Sequence, residues 1–155
     1  MIIRKAAPEE LAVVRHITQH TIRTVYPHYY PSGAVDYFAQ HHHDGAIADD
    51  IAAGIVYLYF DDAGNAAGTV TLRGNEICRL FVLPEQQGNG YGRALLDFAE
   101  AEVSGQYDTI VIDASLSAKA IYRKRGYRET AYHTINTGNG DYLCYDVMEK
   151  SVCNQ

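Results

Sequence analysis

Residues 77–93 carry the densest chemical signal in this sequence. An apolar run, Ile77-Cys78-Arg79-Leu80-Phe81-Val82-Leu83, meets Pro84-Glu85-Gln86 and then Gln87-Gly88-Asn89-Gly90-Tyr91-Gly92-Arg93, and Ala94-Leu95-Leu96 opens a helical pattern behind it. Glycines at alternate positions let a backbone come close to a ligand with its N–H groups free to point at it. The helix start adds unpaired amides and the positive end of a dipole. Strand, glycine turn and helix N-terminus together predict a site for a phosphate or pyrophosphate. The functional reading turns on which phosphate ligand that is.

A nucleotide P-loop needs Lys and then Ser or Thr after its last glycine, and here Gly92 is followed by Arg93-Ala94. A dinucleotide fold would use Gly90 and Gly92, with Asp113 at a strand end downstream as the ribose-binding acid. Against it, Pro84-Glu85-Gln86-Gln87 separates the strand from the glycines, where a dinucleotide turn is tight. Coenzyme A is the third ligand that such a loop would suit.

The elements that must position this loop follow from hydrophobic period and turn residues. Residues 2–6 read as an opening strand, and Pro8-Glu9-Glu10 as the first turn of a helix continued by Leu11, Val14, Ile17, Thr18, Thr21, Ile22 and Val25. Pro27 and Pro31 interrupt it, and a second helix is expected over 32–41 with Ser32 as its cap. Strands over 55–60, 67–73 and 76–83, with short turns at 61–65 and 74–75, predict an antiparallel meander. A helix over 91–103 leads into a strand at 109–113. A short helix over 117–124 ends at Gly126, and strands at 127–135 and 142–150 form a hairpin around Gly138-Asn139-Gly140. One β-α-β crossover is too few for a doubly wound sheet. The pattern predicts a single mixed-sheet α/β or α+β domain over residues 1–155.

The segment Gln87-x-x-Gly90-x-Gly92, after an apolar strand and a proline, resembles the pyrophosphate loop of the GNAT superfamily of N-acetyltransferases. Further on, Asp113-Ala114-Ser115-Leu116-Ser117-Ala118-Lys119-Ala120-Ile121-Tyr122-Arg123-Lys124-Arg125-Gly126-Tyr127 resembles that family's second signature, a strand end and short helix carrying A-x-x-x-Y-x-x-x-G-(F/Y). The resemblance covers nearly the whole chain. It implies a GNAT fold, a central mixed and mostly antiparallel sheet of about six to seven strands flanked by about four helices. It also implies acetyl-CoA as co-substrate, a primary amine as acceptor, direct attack in a ternary complex, no metal, and a homodimer in many members.

The resemblance assigns roles residue by residue. Gln87, Gly88, Asn89, Gly90, Tyr91, Gly92 and Arg93 would hold the pyrophosphate, and Leu80, Phe81 and Val82 would offer backbone groups to the pantetheine arm as a strand edge does. Ser115 stands where many members have Asn, and keeps a hydrogen-bonding side chain with shorter reach; Ala118 and Tyr122 complete the coenzyme contacts. Tyr122 is the candidate general acid for the departing thiolate. Glu76 is the candidate general base and an acceptor contact, because an alkylammonium with a pKa of about 10.4 is no nucleophile at neutral pH. Tyr29 and Tyr30, among thirteen tyrosines, are candidate walls of the acceptor pocket, where aromatic faces suit a cation.

Composition bounds the rest. A net charge of −6 argues against nucleic acid as a partner and leans toward a cationic acceptor. Cys78, Cys144 and Cys153 form no C-x-x-C pair, so neither a disulfide framework nor a zinc site is expected, and a reducing cytoplasm fits. No apolar run approaches membrane-spanning length, and residues 1–6 lack the apolar core of a secretory signal. His41-His42-His43 point three ways on a helix and do not share one ion readily. The same glycine loop would also serve a coenzyme A-binding regulatory domain without turnover, which needs neither Glu76 nor Tyr122.

Overall fold

The computed structural model describes residues 1–152 of the chain; Cys153 lies outside the described residues. Strands β1 (Ile2–Lys5), β2 (Val56–Phe60), β3 (Ala66–Arg73), β4 (Glu76–Val82), β5 (Thr109–Ala114), β6 (Arg128–Asn136) and β7 (Tyr142–Ser151) build one seven-stranded sheet in the order β1-β2-β3-β4-β5-β7-β6. Every neighbouring pair is antiparallel except β4 and β5. Helices α1 (Leu11–Val25), α2 (Ser32–His41) and α3 (Asp44–Ala52) cover one face, and α4 (Tyr91–Ser104) and α5 (Lys119–Lys124) the other. The expected meander, the single parallel crossover through α4 and the last hairpin are all present.

Two cores follow from two amphipathic faces. On α1, Val14, Ile17, Thr18, Thr21 and Ile22 recur at i, i+3, i+4, i+7 and i+8, and this stripe packs with Val56, Leu58, Phe81 and Leu143. On α4, Leu95, Leu96, Ala99 and Val103 pack with Val70, Ile77, Ile110, Ile112 and Met148. Each fully buried Leu or Ile contributes about 1.5–3 kcal/mol by leaving water. The sheet is therefore held from both sides, and the strands in the middle are the ones whose backbone position is best fixed.

Three expectations are corrected. Among the described residues there are five α-helices, in keeping with the about four implied; the one not expected is α3, which offers only Ile47 and Ile51 as large apolar residues, so its period is faint. Its signals are a cap, with His43 Nδ1 accepting from the Ala46 amide at 3.3 Å, and the spacing of four between the two isoleucines. Pro8–Glu10 is a separate 3₁₀ turn ahead of α1, and α5 starts at Lys119 after a turn. Ser32 does not cap α2; Pro31 holds the cap position, and Asp141 from the β6–β7 hairpin accepts from the Gly33 amide at 2.9 Å. A Cβ at Gly33 would stand 2.1 Å from Asn139 Oδ1, so in this seating of the hairpin on α2 the Asn139 side chain fills the space beside the glycine.

Candidate active site

Gly88 and Gly90 have φ of 84° and 83°, a region that side-chain-bearing residues adopt rarely. These two turns send the chain from the 3₁₀ turn Pro84–Gln86 into α4 with Gly90 as the cap residue. Gln87 Nε2 donates to the Val82 carbonyl at 3.1 Å and Asn89 Nδ2 to the Gln86 carbonyl at 3.0 Å, so the loop is tied to the end of β4. The first helical bond runs from the Ala94 amide to the Gly90 carbonyl at 3.0 Å. Among the described residues nothing accepts from the amides of residues 88–93. Six consecutive amides at a helix start are thus left facing outward, the geometry that binds a phosphate. Tyr91 stacks on Tyr59 with centroids 4.6 Å apart, and the Arg93 side chain is exposed.

Behind the loop, β4 and β5 part company. They pair only at Glu76↔Val111 and Ile77↔Ile112, although β4 runs on to Val82 and β5 to Ala114. The break coincides with a bulge against β3: Thr71 pairs with Cys78 and Thr69 with Phe81, so Arg79 and Leu80 together oppose Val70. The Leu83 amide donates to Ala67 on β3 at 2.9 Å, so strand alternation turns the amides of Val82 and Leu80 the other way, toward the gap. The Val82 carbonyl already accepts from Gln87 and from Thr21 Oγ1 at 3.3 Å. The result is a cleft with one open strand edge that ends in the glycine loop. Phe81 packs on the α1 side and Val82 on the α4 side, their side chains belonging to the two cores.

Ser115, Ala118 and Tyr122 lie on the segment that follows β5, the strand across the split from β4. Ser115 follows β5, shares a 2.8 Å hydrogen bond with Ser117, and accepts at its carbonyl from the Ala118 amide at 3.1 Å. Tyr122 is 6% exposed and packs in the α4 core, its ring tilted on Tyr127. Burial, with the Tyr26 hydroxyl nearby, pushes its phenol well above the ordinary range. No described residue hydrogen-bonds to that hydroxyl, and it is not among the fully enclosed unpartnered atoms; it therefore keeps contact with open space. Tyr26 is raised by burial and partly relieved by Ser115. Tyr30 is buried, its hydroxyl accepting from the Leu116 amide at 2.7 Å and donating to the Cys144 carbonyl at 3.0 Å. Tyr29, its neighbour, is 50% exposed.

Glu76 lies at the root of the split, on the face covered by α1 to α3. Burial pushes its carboxyl up and the Asp113 carboxylate adds to the rise, with Arg73 opposing. Asp113 is raised by its own burial, with His133 and His41 opposing. Tyr145 feels burial first and then Asp113, Tyr37 and Glu76, and it stacks under His133 at 5.2 Å. Two carboxylates and two phenols therefore share one region of the α1–α3 face, with His133 stacked on Tyr145 and His41 on Tyr37. Cys78 is pushed up to about 12 by burial and Glu76, which keeps its thiol protonated and inert as a nucleophile.

The three consecutive histidines separate. His41 stacks on Tyr37 at 6.4 Å, His42 Nδ1 accepts from Arg79 Nε at 3.3 Å, and His43 caps α3. Among the described residues no group of three His, Cys, Asp or Glu side chains is arranged to hold a metal ion. Among the described residues no helix is long and apolar enough to cross a membrane.

Asp113, Tyr37 and Tyr145 were not singled out for this site from the sequence. Alternation along β5 places Asp113 on the face of Glu76, but Tyr37 and Tyr145 reach it only through tertiary packing. The buried Asp50–Arg79 pair was also missed, since α3 was.

A family model for the acetyltransferase (GNAT) domain matches residues 25–142. A search of curated proteins returns no match. Among solved structures, the GCN5-related N-acetyltransferase from Rhodopseudomonas palustris is similar with a TM-score of 0.88 and 25% identity, over 97% of this chain and 95% of that one. A putative acetyltransferase, YncA from Salmonella typhimurium, solved with its cofactor acetyl-CoA, gives a TM-score of 0.74 at 18% identity over 100% and 95% of the two chains. The PaiA N-acetyltransferase from Thermoplasma acidophilum, solved in complex with coenzyme A, gives 0.74 at 18% over 97% and 98%. The last two likenesses speak for the fold. With the family model spanning most of the chain, and both of its glycine-loop and tyrosine-helix signatures in place around an open strand edge, this chain belongs to the GNAT family of acetyltransferases.

Proposed function

We propose that this enzyme moves an acetyl group from acetyl-CoA to a primary amine by direct attack within a ternary complex. The observation that carries the reading is the open edge of β4, whose Leu80 and Val82 amides face an unpaired gap that leads into the free amides of residues 88–93. A pantetheine arm would add to that edge as a short strand, and the pyrophosphate would take the loop amides. Ser115, Ala118 and Tyr122 would close the slot from the other side, with Arg93 at its phosphate end. None of the residues in this set calls for a metal.

Glu76 takes the proton from the incoming ammonium, directly or through water. Its raised pKa makes it a better base near neutral pH than an ordinary glutamate. The amine lone pair then attacks the thioester carbon, whose oxygen would be polarised by the Val82 amide. As the C–S bond breaks, the electron pair leaves on sulfur and Tyr122 supplies the proton; the nitrogen, cationic after attack, sheds its second proton through water, which restores the Tyr122 phenol and leaves the neutral amide. Burial weakens Tyr122 as an acid, but the same desolvation raises the proton affinity of the thiolate, so the transfer stays near balance. Holding both reactants in one cleft contributes much of the acceleration.

For the acceptor, Glu76 and Asp113 with the rings of Tyr37 and Tyr145 support a cationic amine, whether a small molecule or the amine of a peptide. Tyr29 is the exposed ring proposed for the mouth of that pocket. Tyr30 shapes it from behind by tying the Leu116 amide to β7. The free thiols Cys78 and Cys144 accord with a cytoplasmic setting.

The test is release of free coenzyme A from acetyl-CoA against pooled amines, read by mass, with wild type and Tyr122→Phe side by side. Release that depends on one pool and collapses in the variant supports the reading. Tight coenzyme binding with no release from any pool would favour a regulatory domain, and no binding at all would refute the assignment of the loop.

A further inference from the structure

Arg79 is the only non-glycine residue among those described with a positive φ, 44°. A residue with a Cβ adopts that region rarely, and persists there only when its surroundings hold it. Here the side chain supplies the hold. Its Nη1 forms an ion pair with Asp50 Oδ2 at 3.0 Å and donates to Thr71 Oγ1 at 3.1 Å, and its Nε donates to His42 Nδ1 at 3.3 Å. The Arg79 side chain is 5% exposed, so its charge needs a counter-ion, and Asp50 is that ion. The second Asp50 oxygen accepts from Arg73 Nη2 at 2.7 Å. His42 also packs edge-on against Phe81 at 6.1 Å.

The place of this cluster in the fold gives it a function. Arg79 sits in the bulge where β4 turns away from β5, just past the last parallel pair at Ile77↔Ile112. Its three anchors come from β3, from α3 and from the junction of α2 and α3, all on the face of the sheet away from α4 and the glycine loop. Backbone strain at one residue and a buried ion pair across the sheet therefore meet at the step that opens the donor cleft.

We propose that Asp50, acting with Thr71 and His42 through Arg79, is a positioning residue that keeps β4 peeled from β5, so that the slot for the pantetheine arm is set by a buried brace on the opposite face. This rests on the donor reading above. It goes beyond that reading by making affinity for the arm, and not for the phosphates, depend on residues that never touch the donor.

The two halves of the donor separate the brace from ordinary stability. Coenzyme A spans the β4 edge and the glycine loop; adenosine 3′,5′-bisphosphate carries the nucleotide and the first of the loop's two phosphates but no arm. Calorimetric titration of Asp50→Asn should show coenzyme A weakened by about 5- to 30-fold, the worth of one or two backbone hydrogen bonds, with the bisphosphate altered by about twofold at most. Because Asp50→Asn strands a buried cation and so puts folding at risk, the double variant Asp50→Leu/Arg79→Met is the second arm. Apolar replacements of a buried ion pair hold or raise stability. The double variant should melt no lower than wild type, yet keep weak coenzyme A binding and normal bisphosphate binding. A double variant that binds coenzyme A like wild type would overturn the proposal, as would equal weakening of both ligands in Asp50→Asn. Wild type that binds the bisphosphate but gains nothing from the arm would overturn the donor reading itself.

Discussion

Gly92→Ala is the substitution for which the fold and the proposed ligand pull in opposite directions. Gly92 is the second residue of α4 and its φ is not positive, unlike Gly88 and Gly90. A Cβ built there meets only Val82 Cγ2 at 3.7 Å, an ordinary contact. The protein alone thus has no use for glycine at this position. Alanine is the better helix former by about 0.5–1 kcal/mol, which for a domain of this size raises Tm by about 1–4 °C. A pyrophosphate on the loop changes the outcome, because the added methyl stands among the amides that would approach it. Losing one hydrogen bond to a charged group costs about 1.5–3 kcal/mol, or about 10- to 150-fold in affinity. Urea and thermal melts read the first effect, and calorimetric titration with coenzyme A the second. A variant that is more stable yet binds coenzyme A at least tenfold more weakly is the expected result. Unchanged affinity would refute the placement of the pyrophosphate, and lower stability would refute the reason given for the glycine.

Four further substitutions test the chemistry and the fold. Tyr122→Phe should lower kcat by about 10²-fold or more if the phenol protonates the thiolate, while the dissociation constant for coenzyme A stays near that of wild type; stopped turnover and calorimetry check the pair. Glu76 is raised by burial and Asp113, so the acid limb of kcat should have its midpoint above the ordinary glutamate value of 4.5, with Glu76→Gln removing that limb along with most turnover and Asp113→Asn moving it down. Glu100 is pushed up by burial, but the hydrogen bonds from Arg125 and Tyr127 and the charges of Arg125 and Lys150 outweigh this and hold it below 4.5. A lowered carboxyl contributes stability above its unfolded pKa and loses it as pH falls through the folded one. Glu100→Gln should therefore lower Tm at pH 7, with the gap to wild type closing below about pH 4, as melts across that range would show.

Much of this architecture was legible because the signals were local. The turns at Asp61–Asn65 and Gly74-Asn75 are short and glycine-bearing, Asp61 Oδ1 accepts from the amides of Ala63 and Asn65, and the period changes cleanly around them. The glycine loop and the Ala118–Tyr122 spacing are contiguous in sequence, so their residues could be named before any packing was known. What stayed hidden depended on partners far along the chain. The α2 cap is Asp141, more than a hundred residues from Gly33, and Ser32 merely looked the part. Helix α3 hides behind small and acidic residues, and Asp50 reads as surface until Arg79 is seen beside it. Arg79 itself looked like one more polar residue in a strand, since nothing in its neighbours announces a bulge. The three consecutive histidines, expected to point three ways, have three separate partners, although the sequence could not name them.

The measurement that bears most directly on the central claim is an amide chemical-shift titration of the labelled protein with acetyl-CoA. The account predicts perturbed amides at Leu80 and Val82 along the open edge of β4 and throughout residues 88–93, with the turn at residues 105–108, at the opposite end of α4 from the loop, unmoved. Shifts confined to other elements, or a saturable interaction that leaves the amides of Leu80 and Val82 where they were, would contradict it.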